Sequence, residues 1–262
     1  MASEPSKPAK KAAKSSAFEP LPEAKAQSTR LRIIALVLWV VAIALEAVAI
    51  FWVLRPPIEQ LAAARGFPQW RWWLLIGFLV VIGLLSVIGS ILWKKANHLD
   101  PASEKEPIRF FVQNQLGAII ALIAFVPLII VIFLNKDMNT QQKGIAGAVG
   151  IVVALVAVFM GIDFKPLSKE QAAVESQVVT KLVGQDLVWW SQGGNVVHLC
   201  KEASDLQNVK TPVESGPIKQ ALDGGKDGIT LELRSELPQC NLPVPDDIDD
   251  LVAWVRQSRG AA

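Results

Sequence analysis

Three residues near the C-terminal end could do chemistry if the fold brings them together: His198, Cys200 and Cys240. A His-x-Cys pair with a second, distant cysteine offers one imidazole and two thiols, which could ligate a metal or form a redox couple. Three ligands without a visible fourth make a poor zinc set, and neither cysteine belongs to a Cys-x-x-Cys motif. Cys200 ends one β-prone run and Cys240 follows another, so the two could approach across a small sheet. Reduced structural thiols, a disulfide and a metal site all stay open, and a disulfide would weigh against a reducing compartment.

Glu46 is the second chemical candidate, because it is the one ionisable residue well inside an apolar run. A carboxylate in hydrocarbon costs a few kcal/mol unless it is paired, wet or protonated. It is therefore either a proton or cation site, or a structural acid that bonds a neighbouring helix or snorkels to the nearer interface. Other signatures are missing from the sequence. Neither His98 nor His198 lies in an apolar run, so no haem can sit between paired imidazoles there. There is no phosphate-binding Gly-Lys-Ser/Thr loop, no HExxH and no cysteine cluster with metal spacing. The expectation is a protein that is not an enzyme and carries no cofactor and no metal.

The elements that position these residues follow from composition. Hydrophobic residues make up 52% of the 262 and charged residues only 19%, a combination that soluble domains of this length seldom show. A bilayer core of about 30 Å needs about 20 helical residues, and four windows qualify: 31–54, 72–93, 116–134 and 144–161. The intervening stretches carry charges and prolines that lipid would not accept. The fold class expected is a membrane all-α bundle of four transmembrane helices (30–161), followed by a small cytoplasmic α+β domain. A basic Ala/Lys/Pro/Ser tail over 1–29 has little to bury and reads as disordered. No signal-peptide pattern precedes the first span.

Orientation rests on Lys and Arg, which are retained on the cytoplasmic side. One face receives Lys7, Lys10, Lys11, Lys14, Lys25, Arg30, Arg32, Lys94, Lys95, Lys105, Arg109, Lys165, Lys169 and Lys181; the other has Arg55, Arg65, Arg71, Lys136 and Lys143. Fourteen against five puts both termini in the cytoplasm of a multi-pass plasma-membrane protein. The charge also divides along the chain, +7 over residues 1–161 and −5 over 162–262. An acidic soluble domain excludes a nucleic-acid partner.

Lipid-embedded helices associate through close backbone approach. Ala146, Gly150 and Ala154 supply it at four-residue spacing, widened by Gly147, Ala157 and Gly161, and the second span has a similar set in Gly83, Ser86, Gly89 and Ser90. These read as packing positions, within the bundle or against a neighbouring protein. Pro127 is expected to kink the third span.

After the spans, a connecting helix is expected over 162–184 and an α+β domain over 185–262. Runs 187–190 and 196–200 flank Ser191-Gln192-Gly193-Gly194-Asn195, a hairpin signal. A short helix over 217–221, a strand over 229–233 and a last helix from Asp246 to about Ser258 complete it. About 75 residues give a thin core that must lean on something.

The order of parts, together with Val188-Trp189-Trp190-Ser191-Gln192-Gly193-Gly194-Asn195-Val196-Val197-His198-Leu199-Cys200 and then Ser215-Gly216, resembles actinobacterial membrane proteins, in particular the corynebacterial accessory subunit family found with the cytochrome bcc–oxidase supercomplex. The resemblance implies a non-catalytic subunit supporting assembly or stability, with larger respiratory membrane subunits and lipid as partners and no catalytic residues. Relatives carry further cysteines in the tail domain that are missing here. Two other classes are compatible with the residues alone: a small transporter or channel using Glu46, and a membrane-anchored metal or redox sensor using His198, Cys200 and Cys240.

Overall fold

A computed structural model describes residues 22–260. The expected disordered tail is corrected at its end: helix α1 begins at Pro22 and runs to Val48, and only 1–21 of that stretch lie outside the described residues. Pro22 suits a first turn, Ala24, Lys25, Ala26 and Gln27 are good helix formers, and Ser28 is buried with its hydroxyl donating to the Ala96 carbonyl at 3.0 Å. The chain continues as a π-helical turn (Ala49–Val53), then a short helix α2 (Ile58–Ala64) ending at left-handed Arg65.

Three long helices follow, α3 (Gln69–Leu99), α4 (Pro107–Leu134) and α5 (Thr140–Gly161). With α1 they make four helices long and apolar enough to cross a membrane, compatible with a multi-pass membrane protein. Ser28 meets Ala96 while Trp39 meets Ser86 and Gly89, so α1 and α3 run antiparallel. Both α3 and α4 run past the apolar windows read from sequence. The added turns are held by side chains rather than by hydropathy: Asn97 donates to the Gln113 carbonyl at 2.8 Å, and Trp93 donates to the same oxygen at 2.7 Å. Asn139 and Gln142 form a capping box that starts α5 ahead of its apolar run.

The expected connecting helix is shorter than 162–184. Residues 162–168 are non-helical, with Ala102 and Ser168 forming a β-bridge, and α6 spans Lys169–Val183. Ser168 caps its start and Gly184, at φ +84°, ends it. The domain then contains β1 (Val188–Ser191), β2 (Val196–Val197), α7 (Ser204–Gln207), β3 (Val213–Gly216), α8 (Ile218–Asp223), β4 (Gly228–Ile229), α9 (Leu233–Gln239) and α10 (Ile248–Ser258).

Two sequence expectations are corrected here. The predicted hairpin is reduced to one bridge, Trp189 to His198, because β1 pairs antiparallel with β3 and β2 pairs parallel with β4. The predicted strand over 229–233 stops at Ile229, and Leu233 opens α9 instead. Helical spacing is what buries both Leu233 and Leu237 in the domain core, beside Val188, Ile218, Leu222 and Val255.

Candidate functional site

Glu46 is only 5% exposed and turned into the bundle. The snorkelling reading of this acid is therefore corrected. Its carboxyl faces the backbone of Leu128, the residue after Pro127. Its oxygen Oε1 has no hydrogen-bond partner in the protein. A buried acid with an open oxygen can hold a proton; as an anion it would lack compensation.

Just beyond Glu46, α1 widens into its π-helical turn, and Arg71 fixes the end of it. Arg71 is 3% exposed; it donates to the Trp52 carbonyl, to the Val53 carbonyl at 3.3 Å and to Gln60 Oε1 at 2.9 Å. Its guanidinium lies 5.1 Å from the centroid of the Trp52 ring and 4.9 Å from that of Trp70. In the sequence Arg71 stands only as one of the loop charges. The neighbouring indoles of Trp70 and Trp72 were the available signal.

A line of polar side chains runs from the opposite end toward Glu46. Arg32 pairs with Asp100 at 3.0 Å and reaches Asn97; Asn97 meets Asn114 at 3.4 Å. A Cβ on Gly117 would sit 2.6 Å from Ser90 Oγ, which places Ser90 against α4 one turn from Asn114. Ser86, one turn further along α3, is equally buried. Asn114 Nδ2, Ser90 Oγ and Ser86 Oγ, like Glu46 Oε1, are buried without a partner in the protein.

The small-residue positions serve the bundle itself. A Cβ on Gly83 would strike Val153 at 2.2 Å, one on Gly147 the Phe133 ring at 2.3 Å, and one on Gly150 approaches Ile129 at 3.2 Å. Gly89 receives the Trp39 indole, Ala146 is fully buried, and Ala154 packs partly buried against the same core. The closest approach to main chain is at Gly161, where an added Cβ would fall 2.4 Å from Ala118 N of α4.

At the other end the domain is clamped to the bundle. Lys219 donates to the Leu99 carbonyl at 3.3 Å and pairs with Asp223 at 2.8 Å; burial raises the Asp223 carboxyl above its ordinary range despite that ammonium. Lys169 N–H donates to the Ala102 carbonyl, Lys94 to the Ile162 carbonyl, and Ser103 Oγ and Glu104 N–H both donate to the Glu170 carboxylate. Burial pushes the Glu170 carboxyl up, but those hydrogen bonds outweigh it and hold it below the usual range. A cavity of about 620 Å³ lies along this junction, lined by His98, Asp163, Lys165 and Arg259 among others.

Within the domain, Cys200 and Cys240 are joined by a disulfide, Cα to Cα 5.6 Å. Neither thiol is then available as a metal ligand, and among the described residues no three His, Cys, Asp or Glu stand together as a metal set. His198 is committed elsewhere: its Nδ1 lies 2.7 Å from Glu236, whose other oxygen accepts from Leu199 N–H at 2.6 Å. Fully buried Glu175 likewise accepts from Ile229 N–H at 2.8 Å and Arg259 at 2.9 Å. Gly228, at φ +125°, is needed there, since a Cβ would fall 2.2 Å from the Glu175 oxygens. Compared with known proteins, the chain matches no family model, no curated protein and no solved structure.

Proposed function

We propose that this chain is a non-catalytic accessory subunit of a bacterial respiratory complex of the cytochrome bcc–oxidase kind, whose bundle stands beside larger membrane subunits and whose acidic domain covers their cytoplasmic face. One observation carries the non-catalytic part: the buried ionisable groups Glu175, Glu236, His198 and Lys219 of the domain are engaged in fixing backbone segments, helix ends or one another. Groups so engaged are struts, and the Lys219 bond to the Leu99 carbonyl ties the domain to the bundle. The respiratory assignment rests on the family resemblance. Capture of the full chain in mild detergent tests it: larger haem-containing subunits should come with it, and recovery of the chain alone at native expression would oppose it.

Both termini are placed in the cytoplasm on the fourteen-to-five count of Lys and Arg. The disulfide weighs the other way, because such bonds persist in oxidising compartments. An impermeant thiol label on intact cells, with a single reporter cysteine replacing Ala262 in a Cys200→Ser/Cys240→Ser background, decides between them. No labelling supports the charge count; labelling reverses the orientation. The open oxygen of Glu46 favours a second reading, a small transporter or channel, for which flux lost in Glu46→Gln is the test.

A further inference from the structure

We infer that Glu46 is a neutral, proton-binding acid in exchange with the aqueous phase at the domain end of the bundle, through a hydrated seam formed by Asn97, Asn114, Ser90 and Ser86. This goes beyond the accessory-subunit reading and does not depend on it.

The seam has a wet mouth and a dry end. Arg32 and Asp100, which pair at 3.0 Å, keep 24% and 20% of their side chains exposed at the mouth. Behind them Asn97 is 3% exposed and Ser90 and Ser86 are each 1% exposed. On α3, Ser86, Ser90 and Asn97 are spaced four and seven residues apart, so they share one helix face. From α4, Asn114 meets Asn97 directly, and Gly117 brings its backbone against Ser90.

Position relates the last member to Glu46. Trp39 lies opposite Ser86, its indole N–H donating to the Ser86 carbonyl at 3.4 Å. Glu46 is two turns further along α1, about 10 Å. A helical side chain points back toward its own N-terminus, so the Glu46 carboxyl leans toward Ser86 and closes part of that interval. Across it, Ala42, one turn before Glu46, and Ala124 and Ala121, one and two turns before Leu128, are small, while Ile82 and Leu79 of α3 and Phe125 of α4 fill the rest of the interval; all are fully buried.

Three observations join into one argument. Four buried polar atoms lack a protein partner: Asn114 Nδ2, Ser90 Oγ and Ser86 Oγ on the facing helices α3 and α4, and Glu46 Oε1 on α1. Leaving each unmade costs more than a bridging water does. The hydroxyls and amide can each pass hydrogen bonds along such a chain, and Glu46 is the acid that lies beyond its last member. The charged or titratable groups on the elements packed around Glu46 are Glu23, Lys25, Arg30, Arg32, Lys94, Lys95, His98 and Arg109 toward the domain end, and Arg71 and Lys143 toward the other. None lies at the level of Glu46, so no cation compensates an anion there and the neutral acid is favoured. Beyond it, fully buried Val53 and the Arg71 cap close the opposite end, making the seam a one-sided access path rather than a pore.

The test uses the full chain in lipid nanodiscs and infrared difference spectra against Glu46→Gln. At neutral pH the wild type should show the carbonyl stretch of a protonated carboxylic acid, absent from Glu46→Gln. On mixing with heavy water that band should shift promptly. In Ser86→Ala/Ser90→Ala the shift should slow by about tenfold, the kinetic equivalent of one lost relay hydrogen bond. Absence of a Glu46 acid band overturns the proposal, as does an unchanged exchange rate in the double variant. A hydrophobic carbodiimide needs no variant: it should form an adduct at Glu46, and complete recovery of the unmodified Glu46 peptide would also overturn the proposal.

Discussion

Replacing Gly161 with Ala is the sharpest perturbation of the bundle, because the new methyl would meet main chain rather than a yielding side chain. A Cβ there falls 2.4 Å from Ala118 N, 2.6 Å from Gly117 C and 2.8 Å from Ala118 Cα, whereas ordinary contact begins near 3.4 Å. Helices α4 and α5 would have to part by about 1 Å at this end, an overpacking typically worth ~1–3 kcal/mol. The junction shares the damage, since Gln115 donates to the Asp163 carbonyl at 3.2 Å and Lys94 to the Ile162 carbonyl at 3.4 Å next to the same contact. Reversible unfolding of the purified protein in mixed micelles reads the loss. Gly77→Ala and Gly144→Ala are the controls: neither Cβ would meet anything within 4 Å, so both should stay within about 0.5 kcal/mol of wild type. A Gly161→Ala protein as stable as those controls would refute the close-approach account of the bundle.

Three further outcomes are expected. Arg71→Met keeps much of the stem but leaves the Trp52 and Val53 carbonyls without their donor, and should cost about 3 kcal/mol in the same unfolding assay. Cys200→Ser/Cys240→Ser opens a link between residues 40 apart, which chain entropy values at ~4 kcal/mol, read as a lowered midpoint of domain unfolding that reductant reproduces in the wild type. Glu170 titrates below its ordinary 4.5 in the folded chain, so its stabilisation is present above about pH 4.5 and is lost as pH falls through the lower folded value. The Glu104 amide, corrected for intrinsic exchange, should keep its protection at pH 6 and lose it in acid, whereas Glu170→Gln should show weaker protection already at pH 6.

How far the sequence speaks depends on what each element is made of. Four apolar runs announce four helices because lipid-length hydrophobicity is a local property. Their ends are illegible by the same measure, since Asn97, Gln113 and Asn114 extend α3 and α4 by bonding one another inside the bundle. The π-helical turn at 49–53 has no signal in an Ala-Ile-Phe-Trp-Val run; it is defined together with Arg71, a residue from the next long helix. Strand-forming runs and a glycine turn mark β1 and β2, yet periodicity is silent on partners, and β3 and β4 take most of the pairing. Leu233, Glu236 and Leu237 carried a helical spacing that the alternation of 229–233 obscured; Glu236 in α9 then reaches His198 and Leu199 N–H. Glu46 was conspicuous as a lone acid, but its inward orientation and its alignment with Ser86 and Ser90 required the crossing of α1, α3 and α4. The cysteine pair needed a distance that spacing does not provide.

The proposed accessory role is tested most directly by deleting the chain and measuring the respiratory complex that remains. Mild-detergent recovery of the intact assembly should fall while turnover per haem in whatever assembles stays near wild type, because the groups that distinguish this domain hold structure in place. Normal recovery from the deletion strain, or intact assembly with collapsed turnover per haem, would contradict the account.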